Sequence, residues 1–315
     1  MATTASPIHR RPTHRRPTRR RRSAAILTTA LVLGAGLLAA CGSDDPSSTA
    51  AGAVQPVAAE AEAPAGHVLD VTLDDYAFTT EQHHVAAGPV TLRVRNDGKE
   101  AHQVHIGKPK RPLTPDQFIA LHHKSEAAAA QQVDWAGGVN GLEPGASQTA
   151  VSDLEPGDYL MVCYMPSPDG TAHVMKGMVG TLHVVAAPVD ADAQPPRATS
   201  AITVKDFMIT LPKTFTGKGD VEVHNEGPQA HEVIFIRFEP GKTLADAAAW
   251  QAAGSKGPGP FTFAGGMGEV EPNETQQMHL DLPPGDYAAL CVLPDVLGDG
   301  QPHLAHGMVT PFTVH

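Results

Sequence analysis

Residues Val90-Thr91-Leu92-Arg93-Val94-Arg95 alternate apolar and polar side chains and run into Asn96-Asp97-Gly98. This is the pattern of a half-buried strand entering a turn. Val221-Glu222-Val223-His224 does the same before Asn225-Glu226-Gly227. Pro156-Gly157-Asp158-Tyr159 marks a turn that feeds Leu160-Met161-Val162-Cys163, a run with few polar interruptions. Such a run predicts a strand buried on both faces. Helical spacing is confined to two insertions, around 115–132 and 244–253.

The pattern occurs twice. Ala136-Gly137-Gly138, Leu142-Glu143-Pro144, Pro156-Gly157-Asp158-Tyr159 and Cys163 return, without a gap, as Ala264-Gly265-Gly266, Val270-Glu271-Pro272, Pro284-Gly285-Asp286-Tyr287 and Cys291. Upstream, Asn96-Asp97-Gly98 with His102 matches Asn225-Glu226-Gly227 with His231, and Asp75-Tyr76-Ala77-Phe78 matches Asp206-Phe207-Met208-Ile209. Repeats this long are duplicated domains and not solenoid units. Short turn-delimited strands within about 115 residues per copy predict an all-β fold. The expected architecture is two tandem Greek-key β-sandwiches, each with a short helical insertion. The predicted domains are 66–186 and 200–315, joined by a linker at 187–199.

The start of the chain reads differently. Eight arginines fall within residues 10–22, followed by the apolar, small-residue stretch 23–40 and then Leu38-Ala39-Ala40-Cys41. A basic region, a short apolar core and small residues before a boundary predict a secretory signal over 1–40. Leu-Ala-Ala-Cys resembles a bacterial lipobox, which implies cleavage before Cys41 and acylation of that cysteine. Residues 41–65, rich in Ala, Pro, Ser and Glu, read as a flexible tether. The expected location is the extracytoplasmic cell envelope, with a membrane as partner through the lipid at Cys41. Arg21-Arg22 is also compatible with twin-arginine export.

Composition narrows the partners. Removing those eight positive charges takes the formal net charge from −11 to −19. So acidic a mature chain is unsuited to nucleic acid, which demands a positive surface. Nor does the sequence carry a phosphate-cradling glycine loop or a Ser–His–Asp signature.

Of the three cysteines, Cys163 and Cys291 fall at equivalent positions in the two copies. A disulfide would have to join the same strand end in two separate domains; a small packed hydrophobe is the plainer alternative. The residues that follow point to metal instead. Cys163 leads to His173 and, five residues on, Met178; Cys291 leads to His303 and, five residues on, Met308. With His102 or His231, each copy offers one thiolate, two imidazoles and one thioether. Two imidazoles and a thiolate in a plane, with a weak axial thioether, form the blue-copper electron-transfer arrangement.

Asn-x-Gly-x-x-x-His followed by Cys-loop-His-x4-Met resembles the cupredoxin family over 68–186 and 198–315. The loop ending His173-Val174-Met175-Lys176-Gly177-Met178 is similar to that of the type 1 copper domain in copper nitrite reductases. The resemblance implies one type 1 copper per domain, held by His102, Cys163, His173 and Met178 and by His231, Cys291, His303 and Met308. It departs from the copper enzymes in one respect: Val162 and Tyr164 flank Cys163, and Leu290 and Val292 flank Cys291, so no histidine beside the cysteine leads to a second copper. The expectation is therefore a non-enzyme that transfers electrons, with a redox or copper-trafficking protein as partner. Copper storage, delivery or resistance is the alternative, and a sandwich whose sites have decayed is another.

Other residues receive plainer readings. His83-His84 and His122-His123 have no duplicate and read as surface residues. His105 and His306 lie close to predicted ligands without counterparts in the other copy, and either could tune a site or help metal enter. Trp135 and Trp250 read as packing residues.

Overall fold

The computed structural model describes residues 67–82, 84–186, 195, 197–255 and 257–315. The signal, Cys41 and the tether lie outside these residues, as do His83 and most of the linker. Among the described residues no helix is long and apolar enough to cross a membrane.

The first half contains strands β1 (Val68–Asp74), β2 (Ala77–Thr80), β3 (His84–Ala86), β4 (Gly88–Asn96) and β5 (His102–Pro109). Helices α1 (Pro115–Lys124) and α2 (Glu126–Ala130) follow, then β6 (Val133–Leu142), β7 (Ser147–Leu154), β8 (Gly157–Val162) and β9 (Val179–Val185). The second half runs β10 (Ser200–Lys205), β11 (Met208–Thr210), β12 (Lys218–Asn225), β13 (His231–Phe238) and α3 (Leu244–Ala252). It ends with β14 (Phe261–Val270), β15 (Thr275–Asp281), β16 (Gly285–Leu290) and β17 (Val309–Val314). The chain is thus mostly β, in the two-sheet sandwich class that the sequence pattern predicts.

Both layers pass through both halves. One sheet has the order β11-β10-β12-β15-β7-β4-β1-β2 and the other β17-β16-β13-β14-β6-β5-β8-β9-β3. The halves join where β6 pairs with β14 (Leu142 with Ala264, Val139 with Met267) and β7 with β15 (Ala150 with Met278). Gln148 reinforces the seam, donating from Nε2 to the Gly266 carbonyl at 2.7 Å and accepting from Gly266 N–H at 2.8 Å.

The alternating strands bury their apolar sets between the sheets: Val90, Leu92 and Val94 on β4, Val221 and Val223 on β12. Each such side chain stabilises the fold by about 1.5–3 kcal/mol. A second layer forms under α1 and α2, where Phe118, Trp135, Leu160 and Val162 pack together. That outer layer explains why β8 is apolar on both faces, as its sequence predicts. Under α3, Ile234, Ile236, Ala288 and Leu290 do the same for the second half.

The insertion expected as one helix over 115–132 is two. Ser125 is extended, with φ −166° and ψ 116°, and its side chain accepts from Ala128 N–H. A serine that caps the next helix competes with helical continuation, and the chain breaks there. Helix α1 itself begins with a reciprocal cap between Thr114 and Gln117 and with Pro115 in its first turn.

A candidate metal centre in each half

Each centre is assembled from one strand start, one strand end and one loop. His102 opens β5 and His231 opens β13, while Cys163 follows β8 and Cys291 follows β16. The loop after each cysteine is tied back to it: Cys163 N–H donates to the Met178 carbonyl and Val174 N–H to the Cys163 carbonyl, at 3.2 and 2.8 Å. The second half repeats the first of these bonds, Cys291 N–H to the Met308 carbonyl at 3.2 Å. His173 and His303 begin one-turn 3₁₀ helices that stop at Gly177 and Gly307, both left-handed with φ of 97° and 92°. Glycine takes that conformation freely, and the chain turns at once into Met178 or Met308.

The repeated Asn-x-Gly has a physical role. Asn96 is fully buried and donates through Nδ2 to the Glu100 and Leu142 carbonyls at 2.8 and 2.7 Å, while its Oδ1 accepts from Gly98 N–H at 2.9 Å. Asn225 makes the same three bonds, to Gln229, Val270 and Gly227. The loop before the first histidine is held closely against it. A Cβ on Gly98 would meet His102 Nε2 and Asp75 Oδ1 at 2.7 Å, and one on Gly227 would meet His231 Nε2 at 2.8 Å.

All eight predicted ligand residues are fully buried. In the first half His102 Nδ1 and His173 Nδ1 lie 2.9 Å apart, with Cys163 Sγ 3.4 Å from His173 Nδ1 and 4.0 Å from His102 Nδ1. In the second half His231 Nδ1 and His303 Nδ1 are 3.1 Å apart, and Cys291 Sγ is 3.3 Å from His303 Nδ1. The structure therefore brings each predicted Cys–His–His trio together, with Met178 and Met308 buried on the adjoining loop ends. The cysteines are free and belong to separate trios, so the disulfide reading falls.

Carboxylates fix the imidazoles from behind. His102 Nε2 donates to Asp75 Oδ1 at 3.1 Å and His173 Nε2 to Glu100 Oε2 at 2.8 Å. A carboxylate only accepts, so each Nε2 carries a proton and the two Nδ1 atoms are turned towards each other. This orientation, with Nε2 tied to a carboxylate and Nδ1 turned into the buried site, is how histidine ligands are held for metal. The donor chemistry fits a metal that accepts thiolate and imidazole together.

Asp75 is held below its ordinary pKa, chiefly by the Lys99 N–H and then by His102. Burial works to raise Glu100, but hydrogen bonds from Ser167, His173 and Tyr76 hold it low. Burial pushes the Cys163 thiol up to about 12 and the Cys291 thiol well above its usual value. Burial also lowers His173 and His231, and takes His303 down to about 4. Without metal the thiols are protonated and these three imidazoles neutral, so binding must release the thiol proton.

The halves differ behind the second histidine. Gln229 stands where the first half has Glu100, and Phe207 where it has Tyr76. His303 Nε2 consequently has no hydrogen-bond partner. Asp75 and Asp206 lie in the repeat that the sequence reveals, yet nothing local marks them as partners of histidines 27 and 25 residues away.

Sequence reasoning singles out His105 but misses the buried carboxylates Glu232 and Glu269 that surround it. His105, three residues after His102, is buried at the seam, with Nε2 3.8 Å from Glu232 and Nδ1 3.6 Å from Glu269. Asn140 Nδ2 donates to Glu232 at 2.8 Å, Glu232 accepts from Val292 N–H at 3.1 Å, and Gln103 contacts both His105 and the Cys163 sulfur. A polar chain thus runs from the neighbourhood of one cysteine to that of the other. His122, read as a surface residue, is half-buried, stacked on Tyr164, with Nδ1 3.3 Å from Met175 Sδ. The α1 helix lies over the centre's outer layer, which a local reading of adjacent histidines cannot show. Trp135 packs in that layer, as expected.

No family model and no curated protein matches the chain. Among solved structures it is similar to a dithionite-reduced auracyanin of Roseiflexus castenholzii, 22% identical, covering 40% of this chain and all of that one at TM-score 0.30. It is also similar to a copper-containing nitrite reductase of Thermus scotoductus, 13% identical, covering 78% of this chain and 60% of that one at TM-score 0.22. A blue copper oxidase of Nitrosomonas europaea is 16% identical, covering 78% and 84% of the two chains at TM-score 0.23. The last two are enzymes by name, and the expectation of a non-enzyme is withdrawn. The residues beside Cys163 and Cys291 exclude only a path along one strand, whereas catalytic groups can converge from several elements. In its two-layer sheets and its two buried Cys–His–His trios, the chain is cupredoxin-like in both halves.

Proposed function

We propose that this is an exported protein, anchored to a membrane through a lipid on Cys41, that holds one type 1 copper in each half and transfers electrons. One observation carries the copper reading: both imidazoles of the first half are tied through Nε2 to carboxylates, so that two Nδ1 atoms and a thiol sulfur converge at a fully buried point. Copper, when bound, supplies one-electron chemistry between Cu(I) and Cu(II). The chain's own residues do the rest. Asp75 and Glu100 orient the rings, Asn96 locks the loop before His102, and the strand end at Cys163 gives the sulfur little room to move.

The export and anchoring follow from the arginine-rich start, the apolar stretch and Leu38-Ala39-Ala40-Cys41. An acidic surface would steer a basic redox or copper-trafficking partner. Val292, Val296 and Leu297, exposed on the loop after Cys291, offer such a partner an apolar landing.

Copper loading followed by visible and electron paramagnetic resonance (EPR) spectra tests the reading. An intense thiolate-to-copper band that is lost on reduction and returns on oxidation supports it. Colourless Cu(I) binding that never yields a stable oxidised form replaces electron transfer by copper handling, and refusal of copper at both cysteines sinks the reading.

A further inference from the structure

The second half carries a polar cluster that the cysteine centres do not use. Asp295 and Asp299 lie on the loop after Cys291, and His306 lies on the turn that leads to Met308. His306 Nε2 is 3.1 Å from Asp299 Oδ1 and 3.7 Å from Asp295 Oδ2, and one donor atom from each residue lies within 4.8 Å of the others. Asp295 is only 7% exposed. Its Oδ1 is engaged by Gln229 Nε2 and Leu297 N–H at 3.2 and 3.3 Å. Its Oδ2 takes no hydrogen bond among the described residues and points at the imidazole, 3.7 Å away. Phe207 stacks on His306 at 4.5 Å and fixes the ring.

The duplicated half builds this place from different groups. There Lys176 precedes Gly177-Met178 as His306 precedes Gly307-Met308, Asp169-Gly170 matches Asp299-Gly300, and Ser167 follows Pro166 as Asp295 follows Pro294. Lys176 Nζ sits 3.2 Å from Asp169 and donates to the Tyr76 hydroxyl at 3.1 Å, which lies 3.4 Å from Ser167 Oγ. The second half has replaced the ammonium by an imidazole, the tyrosine by Phe207 and the serine by a second carboxylate. A ring nitrogen able to bind a metal stands in place of the ammonium, and one more carboxylate has been added.

We propose that Asp295 Oδ2, Asp299 Oδ1 and His306 Nε2 bind a divalent first-row transition-metal ion, apart from the cysteine centre of the same half; the ion takes the place of the proton that His306 Nε2 donates to Asp299 Oδ1, which is released to solvent. One imidazole with two carboxylates suits Cu(II), Ni(II) or Zn(II), and is too poor in sulfur to favour Cu(I). Donor separations of 3.1 and 3.7 Å suit three ligands around one such ion. Asp299 is the exposed member, at 58%, so the ion exchanges with solvent from that side.

Cu2+ titrated into the full chain, followed by EPR and visible spectra, tests this. The expected result is one equivalent with the wide copper hyperfine splitting of nitrogen and oxygen ligands and no thiolate absorption. His306→Lys, which restores the pairing of the first half, and Asp299→Asn each weaken that equivalent by at least about tenfold and leave thiolate absorption unchanged. A wild-type chain without the signal, or a signal held at full strength by both variants, overturns the site. The same signal is expected in Cys163→Ser/Cys291→Ser, so failure of the cysteine centres and failure of this site read out separately.

Discussion

His231 Nε2 donates to Asp206 Oδ1 at 2.7 Å, and this bond fixes the face that the imidazole turns towards Cys291 and His303. In the second half it is the sole carboxylate contact to either ligand imidazole's Nε2 among the described residues, since His303 Nε2 has no partner. Asp206→Asn should therefore weaken copper binding there by about 10–100-fold, because the ring loses the group that holds its tautomer. Copper affinity measured half by half, with the first half unchanged, checks it.

The two cysteines should behave as independent centres. Cys163→Ser and Cys291→Ser are each expected to remove one of two thiolate bands, leaving the other at its wild-type position. Because the thiols are held protonated by burial, loading each cysteine should also release one proton, and affinity should rise with pH. Proton release in weakly buffered solution, lost stepwise in the two variants, is the measurement. Variants that alter only the melting temperature would return both cysteines to packing residues.

Asn96, itself fully buried, closes three hydrogen bonds in the turn before His102. Asn96→Ala leaves those partners unsatisfied and should cost roughly 1–3 kcal/mol of stability. It should also loosen His102 and lower copper affinity in the first half alone. Denaturant unfolding together with copper competition separates the two effects.

The seam predicts a pH dependence. Burial first, then the negative field of Glu271 and Glu126, holds Glu269 well above the usual glutamate value of 4.5. Between that ordinary value and the raised one, the native chain keeps a proton that the unfolded chain has released. Stability therefore falls as pH rises across the window. Glu269→Gln should reduce this fall, to which Glu232, Glu271 and Glu274 also contribute because burial raises them too, and stabilise the chain at neutral pH, with each kcal/mol recovered raising Tm by about 2–4 °C. Tm measured from about pH 5 to about pH 8 decides it; parallel curves for wild type and variant would refute the buried charge.

The sequence by itself determined the repeated pattern, the strand class and the two Cys–His–His trios that the structure brings together. Apolar alternation in 90–95 and 221–224 is a local property with a period of two, and it appears in the structure as strands β4 and β12. Cys–loop–His–x4–Met is likewise short-range, because one strand end and one loop supply three of the four groups. Only the tertiary structure decided what stands behind and between those groups. Asp75 reaches His102 and Glu100 reaches His173 through turns that bring distant segments together, and no spacing rule announces such contacts. His105 becomes a seam residue only because β6 pairs with β14 and the sheets run on from one half into the next. The same closure carries Glu232 and Glu269 out of water beside it, where burial sets their protonation, and burial is a property of the assembled layers.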